Sequence, residues 1–315
     1  MIRRLLFAAV ALYLAGTIFG GIGLGWIALH PPRRPVTPRE EATAKAGADS
    51  AAERFSNVSV TTPDGITLKA WFLSPASANG DAVVLLHGVS DNRLGMYGYG
   101  KWLLRNHYAV LLPDARAHGL SDGLATYGLK ESDDIHQWVE WLENAYHPRC
   151  VYGLGESMGA AELLQSLSKE SRFCAVVAES PFASFREVAY ARFGRQFRTG
   201  PWLGSTFFRP AVDAGFLYLR FRYGLNMEEA SPKRAVENTK THVLLIHGLS
   251  DRNIPPFHSD EIQGRNPTDV VVWKVPGAVH TGAHQVAPEE FERRVLDWFG
   301  SHASPPAIGV SSRPN

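Results

Sequence analysis

A serine held between glycines, an aspartate further along the chain and a histidine beyond it are the residue types that together attack a carbonyl carbon. Gly155-Glu156-Ser157-Met158-Gly159 fits the G-x-S-x-G nucleophile elbow without exception. Gly153 and Gly155 also occupy the first two places of a dinucleotide fingerprint, but the third place falls on Met158, so the elbow reading leads. A serine on a sharp strand-to-helix turn sits in strained backbone and needs small residues on its crowded side. Gly155 and Gly159 supply that room, and Ala160 and Ala161 let the following helix come close.

A serine hydroxyl needs a base to take its proton, and the base needs an orienting carboxylate. With this elbow the chain order is serine, acid, histidine, the last two on loops after later strands. The apolar run VLLIHG ends in LSDRNIP, which places Asp251 just past a strand; VVWKVPG ends in AVHTG, which does the same for His280. Asp251 and His280 are therefore the expected acid and base. His284 falls in a helix-leading stretch and His247 lies on the acid's own strand, so both are weaker candidates, and Asp260 and Glu261 read as the solvated face of a helix. Two backbone N–H donors must also meet the developing oxyanion. Met158, next after the nucleophile, and Val89, after His87-Gly88 at the end of the first buried strand, are expected to supply them, with Gly88 giving substrate access to the backbone.

The elements that would position these residues alternate between strand and helix. NVSVTT and ITLKAWFL flank Pro63-Asp64-Gly65 as an opening hairpin. AVVLLHG, YAVLLPD, the elbow strand, CAVVAES, THVLLIHG and DVVVWKVPG follow, separated by helical patterns such as Ile135, Trp138, Val139 and Leu142, with a closing helix around FERRVLDWF. Continuous apolar runs between helices predict an α/β fold with a mostly parallel sheet covered on both faces. Residues 181–241 form a gap far longer than a crossover needs, rich in aromatic residues and arginine. It reads as a helical cap, at about 182–230, inserted before the acid-bearing strand and over the sheet edge where such folds bind ligands. Most of its aromatics are expected to pack the cap, and a minority to line an acyl pocket.

The chain begins with 25 consecutive residues, Leu5 to Leu29, that carry no charged side chain. That length exceeds the apolar region of a signal peptide and suits a bilayer span, so residues 1–30 are expected to be an uncleaved anchor, with a cleaved signal peptide as the rival reading. The flanking basic residues do not decide orientation. Residues 31–53 are expected to be a proline-stiffened spacer and polar tether, residues 54–300 the catalytic domain and 301–315 a disordered tail. Cys150 and Cys174 each precede a strand; two buried free thiols are favoured, while a bridge would mark a domain outside the cytoplasm. With 32 Lys and Arg against 31 Asp and Glu, no basic bias suggests a nucleic-acid partner, and no ligand cluster suggests a metal.

Taken in order, His87-Gly88-Val89, Asp114 to Ser121, GESMG, GLSDRNIP and PGAVHTGA resemble the α/β-hydrolase superfamily, in its membrane-anchored serine esterase, thioesterase and aminopeptidase-like branch. The resemblance covers about residues 55 to 300 and implies the α/β-hydrolase fold, a cofactor-free and metal-free serine hydrolase, and structural roles for Arg116 and His118. Relatives more often carry glycine where Ala117 stands. Serine at 157 speaks against dehalogenase or epoxide hydrolase chemistry, which uses an aspartate, and Glu156 is expected to pack behind the elbow. The expected reaction is cleavage of carboxylic esters or thioesters of acyl or lipid-like substrates through an acyl-enzyme, by a single-pass membrane protein with an extracytoplasmic domain. An aminopeptidase using Glu187, Glu228 or Glu229 to hold an amino terminus is one alternative, and a noncatalytic binding or scaffold protein that keeps the fold is another.

Overall fold

The computed structural model describes residues 1–48, 52, 54–196 and 201–303. The tail from 304 onward and cap residues 197–200 lie outside the described residues. In chain order, helices α1 (Ile2–Leu29) and α2 (Pro38–Ala48) precede the hairpin β1 (Arg54–Thr61) and β2 (Thr67–Ser74). The alternating part follows: β3 (Ala82–Leu86), α3 (Tyr97–Arg105), β4 (Ala109–Pro113), α4 (Glu131–Ala145), β5 (Val151–Glu156), α5 (Met158–Ser166) and β6 (Phe173–Glu179). The cap region holds α6 (Phe185–Gln196), α7 (Pro201–Ser205), α8 (Arg209–Tyr223) and the short α9 (Pro232–Ala235). β7 (His242–Gly248), α10 (Phe257–Gln263), β8 (Val270–Val275), α11 (Ala283–Val286) and α12 (Pro288–Ser301) close the fold.

Eight strands form one sheet in the order β1-β2-β4-β3-β5-β6-β7-β8, with β1, β2 and β4 joined antiparallel and the rest parallel. Alternation along each buried strand divides the core between the two faces. Val83, Leu85, Tyr152, Leu154 and Val177 pack with α3 and with Phe291, Val295 and Phe299 of α12. Val84, Leu86, Val176, Ala178 and Leu245 face the other way, against Ile135, Trp138 and Leu142 of α4 and Leu163 and Leu164 of α5. The sheet is thus covered on both sides, and the carboxyl ends of β3, β5, β7 and β8 converge on one edge.

Two expectations from the sequence are corrected. Cys150 and Cys174 are joined in a disulfide, with Cα atoms 5.8 Å apart, rather than standing as free thiols. The cause is topological: β5 and β6 are parallel neighbours, and their register slips between Val151 and Tyr152, so that Val151 pairs with Phe173 and Tyr152 with Ala175, leaving Cys174 extra beside the end of β5. The polar tether is also not free chain along 38–48. It is α2, opened by a capping box in which Thr37 Oγ1 accepts from the Glu40 N–H and Glu40 accepts from the Thr37 N–H. Its buried stripe is made only of Ala44 and Ala48, one turn apart, which join the main core beside Val36. Small residues carry little hydropathy, so the stripe is invisible to a reading by composition. The preceding spacer is held too: Arg33 donates to the carbonyls of Gly119 and Ser121, and Asn92 Nδ2 donates to the Arg34 carbonyl at 2.8 Å.

The 28-residue α1 is long and apolar enough to cross a membrane, about 42 Å at 1.5 Å per residue. Its C-terminal half runs alongside α8. A Cβ on Gly21 would lie 2.3 Å from the Ala211 carbonyl oxygen and one on Gly25 3.2 Å from that of Gly215, so glycine at both positions lets the helices touch backbone to backbone. Leu29 is fully buried in a third apolar cluster, with Met158, Phe182, Phe185, Leu219 and Ile254.

Candidate active site

β5 delivers Ser157 at its carboxyl end, and the chain turns there directly into α5. The turn demands φ 52° and ψ −110° of a residue with a side chain, a strained combination that the flanking packing enforces. That packing has no slack: a Cβ on Gly155 would stand 2.7 Å from the Gly159 carbonyl, and one on Gly159 would stand 2.4 Å from the Leu86 carbonyl oxygen at the end of β3. The Ser157 N–H donates to the Glu179 carbonyl at 2.8 Å, which ties the turn to β6.

The loops after β7 and β8 bring Asp251 and His280 to the serine. Ser157 Oγ lies 2.8 Å from His280 Nε2, and His280 Nδ1 lies 2.7 Å from Asp251 Oδ2. The other Asp251 oxygen accepts the N–H groups of Asn253 and Ile254 at 2.8 and 2.9 Å. Burial alone would raise the Asp251 carboxyl, but hydrogen bonds from His247, His280 and the Ile254 N–H outweigh it and hold the group well below the usual carboxylate range. An ionised Asp251 accepting at Nδ1 leaves the Nε2 lone pair directed at the serine hydroxyl, the tautomer a general base requires. Thr281, in the left-handed region at φ 50°, donates its N–H to Ser180 Oγ at 3.3 Å and fixes the histidine loop against β6.

Of the rival residues, His247 is fully buried behind Asp251, with Nδ1 2.6 Å from Ser259 Oγ and Nε2 2.8 Å from the Ile254 carbonyl. It braces the acid's loop and does not face the serine. His284 pairs with Glu292, Asp260 with Lys274 and Glu261 with Lys233.

The β3 end provides the opposite wall. A Cβ on Gly88 would lie 3.6 Å from Ser157 Cβ, which puts the His87-Gly88-Val89 backbone against Ser157. His87 is buried, which lowers its pKa; its Nε2 accepts the Ala115 N–H, so the ring proton sits on Nδ1 and is donated to the Gly88 carbonyl at 2.7 Å. That contact locks the peptide preceding Val89. The 114–121 loop behind it is fixed by a buried Arg93–Asp114 pair at 2.6 Å and by Arg116 gripping both oxygens of Asp134. Ala117 has φ 62°, which explains the glycine preference at this place. Burial and the nearby His87 push His118 down to about 4.

Glu156 pairs with Glu179 in the β5/β6 register, behind the elbow and beside the Tyr99 hydroxyl. Burial raises Glu156 to about 7 and Glu179 to about 8. Glu179 Oε1 accepts the Ala283 N–H at 2.9 Å.

In front of the serine lies a cavity of about 430 Å³, a size suited to a small ligand. Ser157, Met158, Val89 and Ser90 form its floor, Phe182, Phe185, Val188 and Phe216 its cap side, and Leu24, Gly25, Ile27 and Ala28 of α1 a further wall. Among the described residues no carboxylate lines it. The α1 wall is a component that sequence reasoning missed, although the Gly21-x-x-x-Gly25 spacing within the glycine-rich second half of the helix was its available signal.

The profile of the alpha/beta hydrolase family matches residues 83–294, from β3 into α12. The chain belongs to this family. Among relatives of the hydrolase, the uncharacterized protein YqkD of Bacillus subtilis is 31% identical over 239 residues, 75% of this chain and 76% of its own. The uncharacterized protein YfhR of Escherichia coli K12 is 25% identical over 237 residues, 72% and 74% of the two chains. Among solved structures, the Pyrococcus furiosus esterase Pf2001 superposes with a TM-score of 0.68 at 26% identity, covering 88% of the hydrolase and 100% of that chain.

Proposed function

We propose that the protein is a membrane-anchored serine esterase that cleaves carboxylic esters or thioesters of acyl, lipid-like substrates through an acyl-enzyme. The observation that carries this reading is the unbroken relay Ser157 Oγ, His280, Asp251, with separations of 2.8 and 2.7 Å, opening on a mainly apolar cavity in whose lining Arg192 is the one charged side chain among the described residues. His280 takes the serine proton as Oγ attacks the acyl carbon, and the tetrahedral oxyanion is met by the N–H groups of Val89 and Met158. His280 then protonates the leaving alcohol or thiol. It next deprotonates the water that releases the acid. Asp251 holds the imidazole and offsets its transient positive charge.

The apolar lining supports an acyl group as the bound moiety, and the similarity to an esterase accords with it. The aminopeptidase alternative loses support from the cap carboxylates, which are engaged elsewhere: Glu187 with Lys233, Glu228 with Arg186 and Glu229 with Asn226. A purely noncatalytic scaffold has no need of an intact proton relay. For location, α1 supports a single-pass anchor, and the disulfide supports a catalytic domain outside the cytoplasm.

The test is hydrolysis of p-nitrophenyl esters of graded chain length by the full chain and by Ser157→Ala. Each methylene buried in the cavity contributes up to about 0.8 kcal/mol, so kcat/KM rises up to about fourfold per carbon until the cavity is full. Turnover that persists in Ser157→Ala, or is absent for every ester, would overturn the reading.

A further inference from the structure

Helix α1 is more than an attachment. Its last two turns are locked to the catalytic domain: the Tyr127 hydroxyl donates to the Ala28 carbonyl at 2.9 Å, the Ala125 N–H to the Leu29 carbonyl at 3.1 Å, and Leu29 is fully buried. Farther down, the Tyr13 hydroxyl donates to the Phe207 carbonyl at 2.7 Å, and glycines at 21 and 25 seat the helix on α8. Leu24, Ile27 and Ala28 face the same cavity as Ser157.

The level of these contacts fixes where the cap stands relative to a bilayer. Only the eight uncharged residues Leu5 to Leu12 separate Arg4 from the contact of Tyr13 with Phe207, and eight helical residues reach about 12 Å, less than half of a hydrocarbon core of roughly 30 Å. A spanning α1 therefore carries the α7–α8 corner into the near leaflet. Large apolar side chains are exposed there, Trp202 at 72% and Phe207 at 53%, and the charged Arg209 beside them is paired with Asp213 at 3.3 Å. Exposed apolar residues continue on α8 as Leu217 and Phe221.

We propose that α1 is a substrate-binding element, with Leu24, Ile27 and Ala28 contacting the acyl chain bound for Ser157, and that the substrate is an acyl ester resident in the bilayer, entering the cavity from the lipid beside α1. This rests on the serine esterase reading and extends it to substrate class and route. It also requires α1 to remain in the mature protein, where a cleaved signal peptide would strip one wall from the cavity and expose Leu29.

The test uses the full chain in phosphatidylcholine vesicles and measures the rate at which Ser157 is phosphonylated by ethyl and by octyl fluorophosphonate. Leu24→Trp, which fills the cavity from the α1 side, is expected to slow the octyl probe by at least about tenfold and to leave the ethyl probe within about twofold. Leu14→Trp, on the exposed length of the same helix, is expected to change neither. Equal slowing of both probes by Leu24→Trp, or no slowing of either, would overturn the proposal while leaving the serine reading intact. A Ser157 that reacts with neither probe in the unaltered protein would instead overturn the esterase reading and this inference with it. A mature protein whose amino terminus lies beyond residue 30 would overturn the inference alone.

Discussion

Gly159→Ala adds a single methyl group, and the structure says where it goes. The new Cβ would meet the Leu86 carbonyl oxygen at 2.4 Å and the His87 carbonyl oxygen at 2.6 Å, all backbone atoms that no rotamer change can move aside. Restoring a comfortable non-bonded separation of roughly 3.5 Å requires α5 and the end of β3 to part by about 1 Å. Overpacking of this kind costs about 1 to 3 kcal/mol of stability. Its catalytic effect is larger than its size suggests, because the displaced strand end carries Gly88 and Val89 while the displaced helix carries Met158. Both N–H groups proposed as oxyanion donors are thereby pulled from their positions. Losing one such donor costs about 3 kcal/mol of transition-state stabilisation, so kcat/KM is expected to fall by roughly 100-fold, mostly through kcat. The assay is hydrolysis of a short p-nitrophenyl ester beside urea unfolding. Gly98→Ala, whose Cβ would meet nothing within 4 Å, serves as control and is expected to keep full activity. A folded Gly159→Ala enzyme within about threefold of the unaltered protein would refute the argument that this contact sets the oxyanion geometry.

Three further outcomes follow from the same geometry. Asp251→Asn retains an oxygen for the Asn253 and Ile254 N–H groups but presents an amide to His280, reversing its tautomer; kcat is expected to fall on the order of 10⁴-fold, and a loss below about tenfold in ester turnover would contradict the relay. Glu179, raised by burial to about 8, keeps a proton in the native state that the unfolded chain loses near about 4.3, so its contribution declines as pH rises between these values. Glu179→Gln should flatten the fall of Tm from pH 5 to 8, and an unchanged slope in thermal scans would show that the carboxyl is ionised in the fold. Replacing Cys150 and Cys174 by serine opens a loop of 24 residues and is expected to cost about 3 kcal/mol by denaturant unfolding, with ester turnover preserved because the bridge lies at the starting ends of β5 and β6, away from Ser157. Lost turnover in a folded variant would contradict that separation.

The parts of the protein most legible in the sequence are those where chemistry restricts residue choice. Gly155 and Gly159 are required by backbone contacts under 3 Å, and Asp251 and His280 stand out because each follows a largely apolar strand. The parallel sheet was readable for the same reason, since strands buried on both faces admit few polar residues. What escaped depends on partners distant in the chain. The bridge between Cys150 and Cys174 turns on a one-residue slip in the β5/β6 register, which composition does not record. The α2 segment hides its packing in Ala44 and Ala48, and α1 resembles a generic membrane anchor until its glycine face is seen against α8. His247 looked like a competing base, but burial places it behind Asp251 as a brace.

The central claim is that His280 activates Ser157 as a nucleophile, and its most direct test is peptide mapping by mass spectrometry after treating the full chain with a fluorophosphonate. A single stoichiometric phosphonyl adduct on Ser157 is expected, formed far more slowly in His280→Ala. An unlabelled Ser157 in folded protein, an adduct on a different residue, or an unchanged rate in His280→Ala would contradict it.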